Sequence, residues 1–119
     1  MNIVVAGNTS RELDNLHAML ESINYSDSID RVANIREAAI SVDANPHSIV
    51  FVDYRNPNPE LDDEISKLII EHDCEHLVLL QSRNGSYKQF THYSTSGLVL
   101  NDLSVGILRN LLTNIFDFA

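Results

Sequence analysis

Short runs of aliphatic and β-branched residues alternate with helix-like patterns along the whole chain, and this alternation limits the possible folds more than any other feature. The runs cover residues 3–6, 29–32, 48–52, 76–80 and 97–100. Short, continuously apolar runs are typical of strands that are buried on both faces of a parallel sheet. Parallel strands are joined by right-handed crossovers, usually helices, so the pattern predicts a doubly wound, five-stranded parallel α/β sheet with helices on both faces. No linker or repeat interrupts the alternation, and we expect a single domain over residues 1–119.

The segments between the runs carry start signals of helices. Thr9 and Glu12 have the spacing of a capping box at the start of the first helix. Asn34 and Glu37 have the same spacing, and Asn58 stands before a proline, which favours the first turn of a helix. Apolar residues spaced by three and four predict the buried face of the first helix, namely Leu13, Leu16, Met19, Leu20 and Ile23. Two further helices are expected, over residues 86–93 and from residue 103 to about residue 116.

The charge balance excludes one class of partner. The chain has 17 Asp and Glu against 8 Lys and Arg, a formal net charge of -9, and such a surface repels the phosphates of nucleic acids. We therefore expect no direct contact of this domain with DNA or RNA. The single cysteine closes no intramolecular disulfide, and no apolar stretch approaches the roughly 20 residues that span a bilayer. Because the first residues show no basic region followed by a long apolar run, we expect no signal peptide. A cytoplasmic protein without membrane contact is the expectation.

In a doubly wound sheet, chemistry is concentrated beyond the carboxyl ends of the strands. The candidate positions are therefore the residues that follow the apolar runs. They are Gly7 and Asn8 after the first run, Asp53 to Pro57 with Arg55 after the third, Gln81 and Ser82 after the fourth, and Asn101 and Asp102 after the fifth.

The spacing of these residues resembles that of the receiver domains of bacterial two-component response regulators, and the resemblance extends over essentially the whole chain. In that family a phosphoacceptor aspartate ends the third strand and a proline follows four residues later, as Asp53 and Pro57 do here. Asp53 also lies 45 positions after Asn8, the usual separation in the family. A glycine followed by three mostly apolar residues marks the family's fifth strand and is matched by residues 97–100. The resemblance implies a receiver-like, flavodoxin-like fold with a regulatory role.

Several working positions of the family are changed in this sequence. Gly7 and Asn8 stand where receivers have two acids that help to hold Mg²⁺, and Asn101 stands where they have a lysine. Gln81 stands at the Ser or Thr position after the fourth strand, with a serine at the next residue, and the register there is open by one residue. Leu98 replaces the aromatic residue of the fifth strand. Because Mg²⁺ is held mainly by carboxylates and waters, the resemblance implies a dismantled metal site around the remaining acceptor.

Pseudo-receivers at the N-terminus of some bacterial transcription regulators share this loss of phosphorylation residues. The resemblance to them implies a regulatory domain that is not an enzyme, needs no cofactor or metal and works without phosphorylation. The implied partners are a second copy of the chain, which would give a homodimer, or a covalently linked output domain.

The final helix offers a candidate surface for such a contact. Its apolar residues cover about 220° of the helical wheel, whereas packing on one face of a sheet needs about half of that arc. One flank of the arc, together with aromatic residues of the preceding helix, is the expected interface. It consists of Val105, Leu112, Phe116, Tyr87, Phe90 and Tyr93.

Two alternative functions remain open from the sequence. The small residue Gly7 leaves room in the vacated acidic pocket, and a small ligand could be sensed there. Alternatively, Asp53 is still phosphorylated, but slowly. Arg55 either turns back to neutralise Asp53 or is exposed in its loop. An aspartyl-phosphate hydrolase is disfavoured, because such enzymes need an acid where Arg55 stands.

The segment that contains His72, Cys74 and His76 has residue types that bind zinc. It falls between the third helix and the fourth strand, and no second pair of ligands occurs at a recognisable distance. We therefore expect a solvated loop with a partly buried Cys74 and no metal.

Overall fold

The structure of the protein is a computed structural model that describes residues 2–23, 28–83 and 94–117, and the side chains of all of these except 94, 95 and 115–117. Its strands are β1 (Asn2–Ala6), β2 (Ser28–Val32), β3 (Ile49–Asp53), β4 (His76–Gln81) and β5 (Ser94–Val99). Its helices are α1 (Arg11–Ile23), α2 (Ile35–Ala44), α3 (Pro59–His72) and α4 (Val105–Asp117), and a 3-10 turn covers Leu100–Asp102.

All five strands run parallel in the order β2-β1-β3-β4-β5. β1 therefore pairs with β2 on one side and with β3 on the other, although β3 follows it only after α1, β2 and α2. This is the strand order of flavodoxin-like folds, and it confirms the predicted α/β class. The expected helix over residues 86–93 lies outside the described residues. None of the helices that the structure describes is long and apolar enough to cross a membrane.

Two hydrophobic clusters cover the two faces of the sheet. Val4, Val50 and Leu77 point to the face that α2 and α3 cover. Phe51 and Val78 point to the opposite face, which α1 and α4 cover. Successive side chains of a strand alternate between the faces, so the interior strands β1, β3 and β4 are apolar at every position except four terminal ones, which are Asn2, Asp53, His76 and Gln81. This double burial explains why the strands appear in the sequence as continuous apolar runs.

The bounds of β5 differ from the predicted residues 97–100. The strand begins at Ser94, because its backbone pairs with β4 from the His76–Ser94 pair to the Gln81–Val99 pair. Its polar first residues carry no apolar signal, and the neighbouring strand determines where pairing begins. Leu100 leaves the strand and enters the 3-10 turn, where it is buried.

The start of α1 lies one residue later than the predicted capping box. Ser10 caps the helix rather than Thr9: its Oγ accepts a hydrogen bond from the backbone N–H of Leu13 at 3.2 Å. The Glu12 carboxylate does not close the box, since it faces the Arg55 guanidinium at 3.5 Å.

The starts of α2 and α3 are as predicted. The Asn34 side chain accepts a hydrogen bond from the N–H of Glu37 at 3.0 Å. The Asn58 side chain accepts one from the N–H of Leu61 at 2.9 Å. Both helices follow directly on strands of the parallel sheet, so these capping side chains lie at the same edge of the sheet as Asp53.

The rotation of α4 about its axis corrects the predicted interface. Leu112, expected on an exposed flank, is fully buried together with Leu108. Val105 is half-buried, and Ile107 is 43% exposed. At about 100° per residue, the buried face is turned by about 50° from the predicted one. The reason is packing with α1 on the same face of the sheet, which buries Leu112 within the single chain.

Candidate functional site

Asp53 is the last residue of β3 and stands at the carboxyl edge of the sheet. It pairs with Leu80 of β4, and the preceding Val52 pairs with Ala6 of β1, so the side chain rises beside the ends of two neighbouring strands. Its side chain is only 18% exposed. A carboxylate that is this shielded from water needs a partner.

Arg55 is that partner. Its Nε donates to Asp53 Oδ1 at 2.9 Å, and its Nη2 donates to Asp53 Oδ2 at 2.8 Å. The backbone N–H of Arg55 also donates to Oδ1, at 3.2 Å. The sequence left open whether Arg55 is exposed in its loop or turns back to Asp53, and in the structure its side chain turns back. Both carboxylate oxygens are thereby engaged in a bidentate, charge-assisted pair.

The guanidinium of Arg55 also contacts the start of α1. Its Nη2 donates to Ser10 Oγ at 3.3 Å, and its Nη1 lies 3.5 Å from Glu12 Oε2. The hydrogen bond to Asp53 raises the pKa of Arg55 further above its usual value, and the charge of Glu12 adds to this effect against the lowering effect of burial. A permanent positive charge therefore lies between two carboxylates. Sequence reasoning missed Ser10 and Glu12, although a helix that follows β1 must begin at this edge.

Gly7 lies against Asp53, and this close contact leaves no room for a side chain at Gly7. A Cβ atom at this position would lie 2.7 Å from Asp53 Cβ and 3.0 Å from Leu13 Cδ1. Both distances are shorter than ordinary van der Waals contact, so an acid at this position would require displacement of its neighbours. The position that a Gly7 side chain would take is occupied by Asp53, while Gly7 itself also lines an open cleft beside Asp53.

A cleft of about 300 Å³ opens beside the pair, above the ends of β1 and β3. In the order β2-β1-β3-β4-β5, the strand order reverses between β1 and β3, and doubly wound folds bind ligands at this point. Side-chain amides and carboxylates dominate its polar lining, which includes Asn8, Asn34, Asp53, Asn56, Asn58 and Glu64. The sequence reasoning identified Asn8 and Asp53 but missed the asparagines at the helix starts, whose capping role was the available signal.

The ends of β4 and β5 form a separate group. Gln81 is the last residue of β4, and its side-chain oxygen is buried without a hydrogen-bond partner among the described residues. Asn101 is exposed in the 3-10 turn. Next to it, Asp102 accepts a hydrogen bond from Arg83 Nε at 2.9 Å, and this contact lowers the pKa of Asp102.

The predicted pocket is therefore only partly assembled. Gly7, Asn8, Asp53 and Arg55 lie together, whereas Pro57 is exposed in the loop before α3 and Ser82 follows the end of β4. Within residues 2–23, 28–83 and 94–117, Asp53 accepts hydrogen bonds from Arg55 alone. Of the predicted interface, Tyr87, Phe90 and Tyr93 and the side chain of Phe116 lie outside the described residues.

The side chains of His72, Cys74 and His76 do not converge. His72 Nδ1 lies 2.9 Å from Asp43 Oδ1 at the end of α2. Cys74 is fully buried rather than partly buried, and burial raises the pKa of its thiol to about 12. In the part of the chain that the structure describes, no three His, Cys, Asp or Glu side chains are grouped so that they could hold a metal ion.

Comparison with known proteins gives information on the fold alone. No protein-family model matches the chain, and no curated protein sequence matches it. Among solved structures, the chain is similar to the crystal structure of the lysine decarboxylase LdcF of Francisella novicida, with a TM-score of 0.65 and 13% sequence identity. The similarity covers 97% of this chain but only 17% of the decarboxylase chain.

Proposed function

We propose that this domain is a phosphorylation-independent, receiver-like regulatory module that acts through protein contacts, as a homodimer or with a covalently linked output domain of a bacterial transcription regulator. The observation that carries the proposal is the bidentate pair between Arg55 and Asp53. The five-stranded parallel sheet, with Asp53 at the end of β3 and Pro57 after it, supports the receiver-like assignment.

Phosphoryl transfer to Asp53 is disfavoured by charge and by access. A nucleophilic carboxylate needs a free oxygen, and both oxygens of Asp53 accept hydrogen bonds from Arg55. The transfer also needs a dication to offset the charge of the phosphoryl oxygens. The Arg55 guanidinium already occupies the space between Asp53 and Glu12 and would repel that ion. The chain therefore carries its own positive charge where receivers bind a metal ion.

We also propose that this domain works as one part of a longer protein. This proposal is supported by the similar structure, in which the matched region is 17% of a much longer chain. The strongly acidic composition assigns any contact with DNA to another domain.

The proposal is tested by incubation with Mg²⁺ and acetyl phosphate, followed by intact-mass measurement. We expect no gain of a phosphoryl group, while an active receiver domain treated in parallel gains one. The Asp53→Asn variant is the matched control. A stoichiometric gain in the wild type that is lost in Asp53→Asn would show a slowly phosphorylated receiver and overturn the proposal.

A small-ligand sensor is the second candidate, and the cleft above β1 and β3 is the observation in its favour. Its amide-rich lining suits a small, neutral polar molecule better than an anion, since Asp53 and Glu64 contribute to it. A screen of such molecules by thermal shift tests this candidate. A ligand of the cleft raises the melting temperature of the wild type but not that of Asn56→Leu, with Asn110→Leu on the exposed side of α4 as the control.

A further inference from the structure

A second groove lies between α2 and α3, on the face of the sheet that these helices cover. Its volume is about 390 Å³. Ile35 and Leu68, both buried, form its floor together with the half-buried Ala39. The groove is therefore apolar at its base, although both of its walls are helix surfaces that face water.

The wall that α3 contributes is strongly acidic. Glu60, Asp63, Glu64 and Glu71 lie along it. The Nζ of Lys67 lies 3.6 Å from Asp63 and offsets one of these charges. Among the residues that the structure describes, the other three carboxylates form no ion pair. This wall keeps an unbalanced negative charge that a basic partner would neutralise.

The wall that α2 contributes differs in chemistry. It carries Arg36 at the groove, and Ile40 follows one helical turn later with 71% of its surface exposed. Ile40 does not line the groove itself, but it follows Ala39 of the floor in the chain, and a large aliphatic side chain with this exposure adds to the surface that a partner could remove from water. Asp43 and His72 contact each other across the carboxyl end of the groove and close it there.

We propose that this groove binds an amphipathic helix of a partner protein, with its apolar stripe on the floor and against Ile40 and with its Lys or Arg side chains toward α3. A helix in a groove fits because α2 has 10 residues, about 15 Å of length, which matches about three turns of a bound helix. Arg36 determines how the bound helix is rotated about its axis. Because Arg36 repels basic side chains, the basic side of the bound helix faces α3. This inference rests on the proposed function only in that both assign protein contacts to the domain.

The probe is a fluorescein-labelled, amidated 14-residue helical peptide of leucine and lysine, with the leucines spaced by three and four. A peptide with glutamate in place of lysine is the comparison, and binding is measured by fluorescence anisotropy at low ionic strength. The groove variant is Glu60→Lys with Glu71→Lys, two residues that do not line the cleft above β1 and β3. Its control is Asp14→Lys with Glu21→Lys, which has the same change in net charge on α1, on the opposite face of the sheet.

We expect the lysine peptide to bind the groove variant at least about tenfold more weakly than the wild type, and the control about as tightly as the wild type. Ile40→Ser should weaken binding severalfold, whereas Ile107→Ser on α4 should not. Equal losses in the groove and control variants would reduce the effect to net charge and overturn the inference, as would equal binding of the glutamate peptide. None of these variants alters Asp53 or Arg55, so the phosphorylation test of the proposed function stands or fails separately.

Discussion

Asp53 and Arg55 are only two residues apart in the sequence, so their ion pair is a local contact. Through its other contacts, Arg55 also connects the end of β3 to the start of α1. Arg55 holds both oxygens of Asp53 and also contacts Ser10 and Glu12. The planar guanidinium suits this role, because its fork of donors matches a carboxylate in a way that a lysine would not. The chain thus supplies its own counter-charge to Asp53.

Removal of Arg55 should open a cation site. In Arg55→Ala, Asp53 and Glu12 keep their charges but lose the group between them, and carboxylate oxygens are preferred ligands of hard dications. We expect Mn²⁺ binding with a Kd on the order of millimolar in this variant and weaker binding in the wild type, measured by calorimetry. Arg31→Ala is the control, since it frees the exposed Asp14 with the same change in net charge. Equal affinities of the two variants would contradict the prediction.

Gly7 should be intolerant of even the smallest side chain. A Cβ atom there would meet Asp53 Cβ at 2.7 Å, so we expect Gly7→Ala to lower the free energy of unfolding by about 1–3 kcal/mol in urea titrations. Gly106→Ala provides the contrast, because the nearest atom to its Cβ is Ser104 Oγ at 3.8 Å and alanine favours a helix. That variant should be as stable as the wild type or up to about 1 kcal/mol more stable. An unchanged free energy of unfolding in Gly7→Ala would contradict the prediction, because it would mean that the backbone at Asp53 moves to accommodate the added methyl group.

The orientation of Arg55 illustrates what residue-level reasoning from the sequence lacks. Asp53 could be identified because a buried strand ends at it and the receiver spacing surrounds it. Arg55 could not be oriented, because a long side chain in a loop has many rotamers. Ser10 and Glu12 select one of them, and they come from an element more than 40 residues earlier in the chain.

At the scale of the element, the rotation of α4 decides which of its apolar residues stabilise the domain. Leu112 is fully buried and packs in the cluster with Leu108, so Leu112→Ala should lower the free energy of unfolding by about 2–5 kcal/mol. Ile107→Ala should lower it by no more than about 1 kcal/mol, because 43% of this residue is already exposed to water. Chemical denaturation of both variants measures the difference. Similar losses would mean that the two residues are equally buried.

The helices and strands differ in how much of their extent and orientation could be predicted from the sequence. The start of α3 was predictable, because Asn58 and Pro59 are separate local signals for the same residue position. The buried side of α4 was not, since apolar residues cover more than half of its circumference and its packing against α1 selects the side. The start of β5 was also unpredictable, because Ser94 owes its place in the strand to pairing with β4.

At the scale of the whole molecule, Cys74 links stability to alkaline pH. Burial raises the pKa of its thiol from 9.0 to about 12 in the folded chain, so the unfolded chain loses the proton first as the pH rises. The stability due to the neutral thiol is complete below about pH 9 and is lost as the pH approaches about 12. We expect the urea midpoint of the wild type to fall more between about pH 8 and about pH 10.5 than that of Cys74→Ala. Parallel curves for the two proteins would show that the thiol is not the group responsible.

The interior position of β1, between β2 and β3, has a consequence for the time at which the domain can form during synthesis. β1 pairs with β3 through Ile3 and Ile49, and these partners are separated by both α1 and α2 in the chain. A ribosome adds about 5–20 residues per second, so β1 waits roughly 2–9 s for its second neighbour. During that interval one edge of a strand that is apolar from Ile3 to Ala6 stays unpaired, and this edge can pair with other incomplete chains.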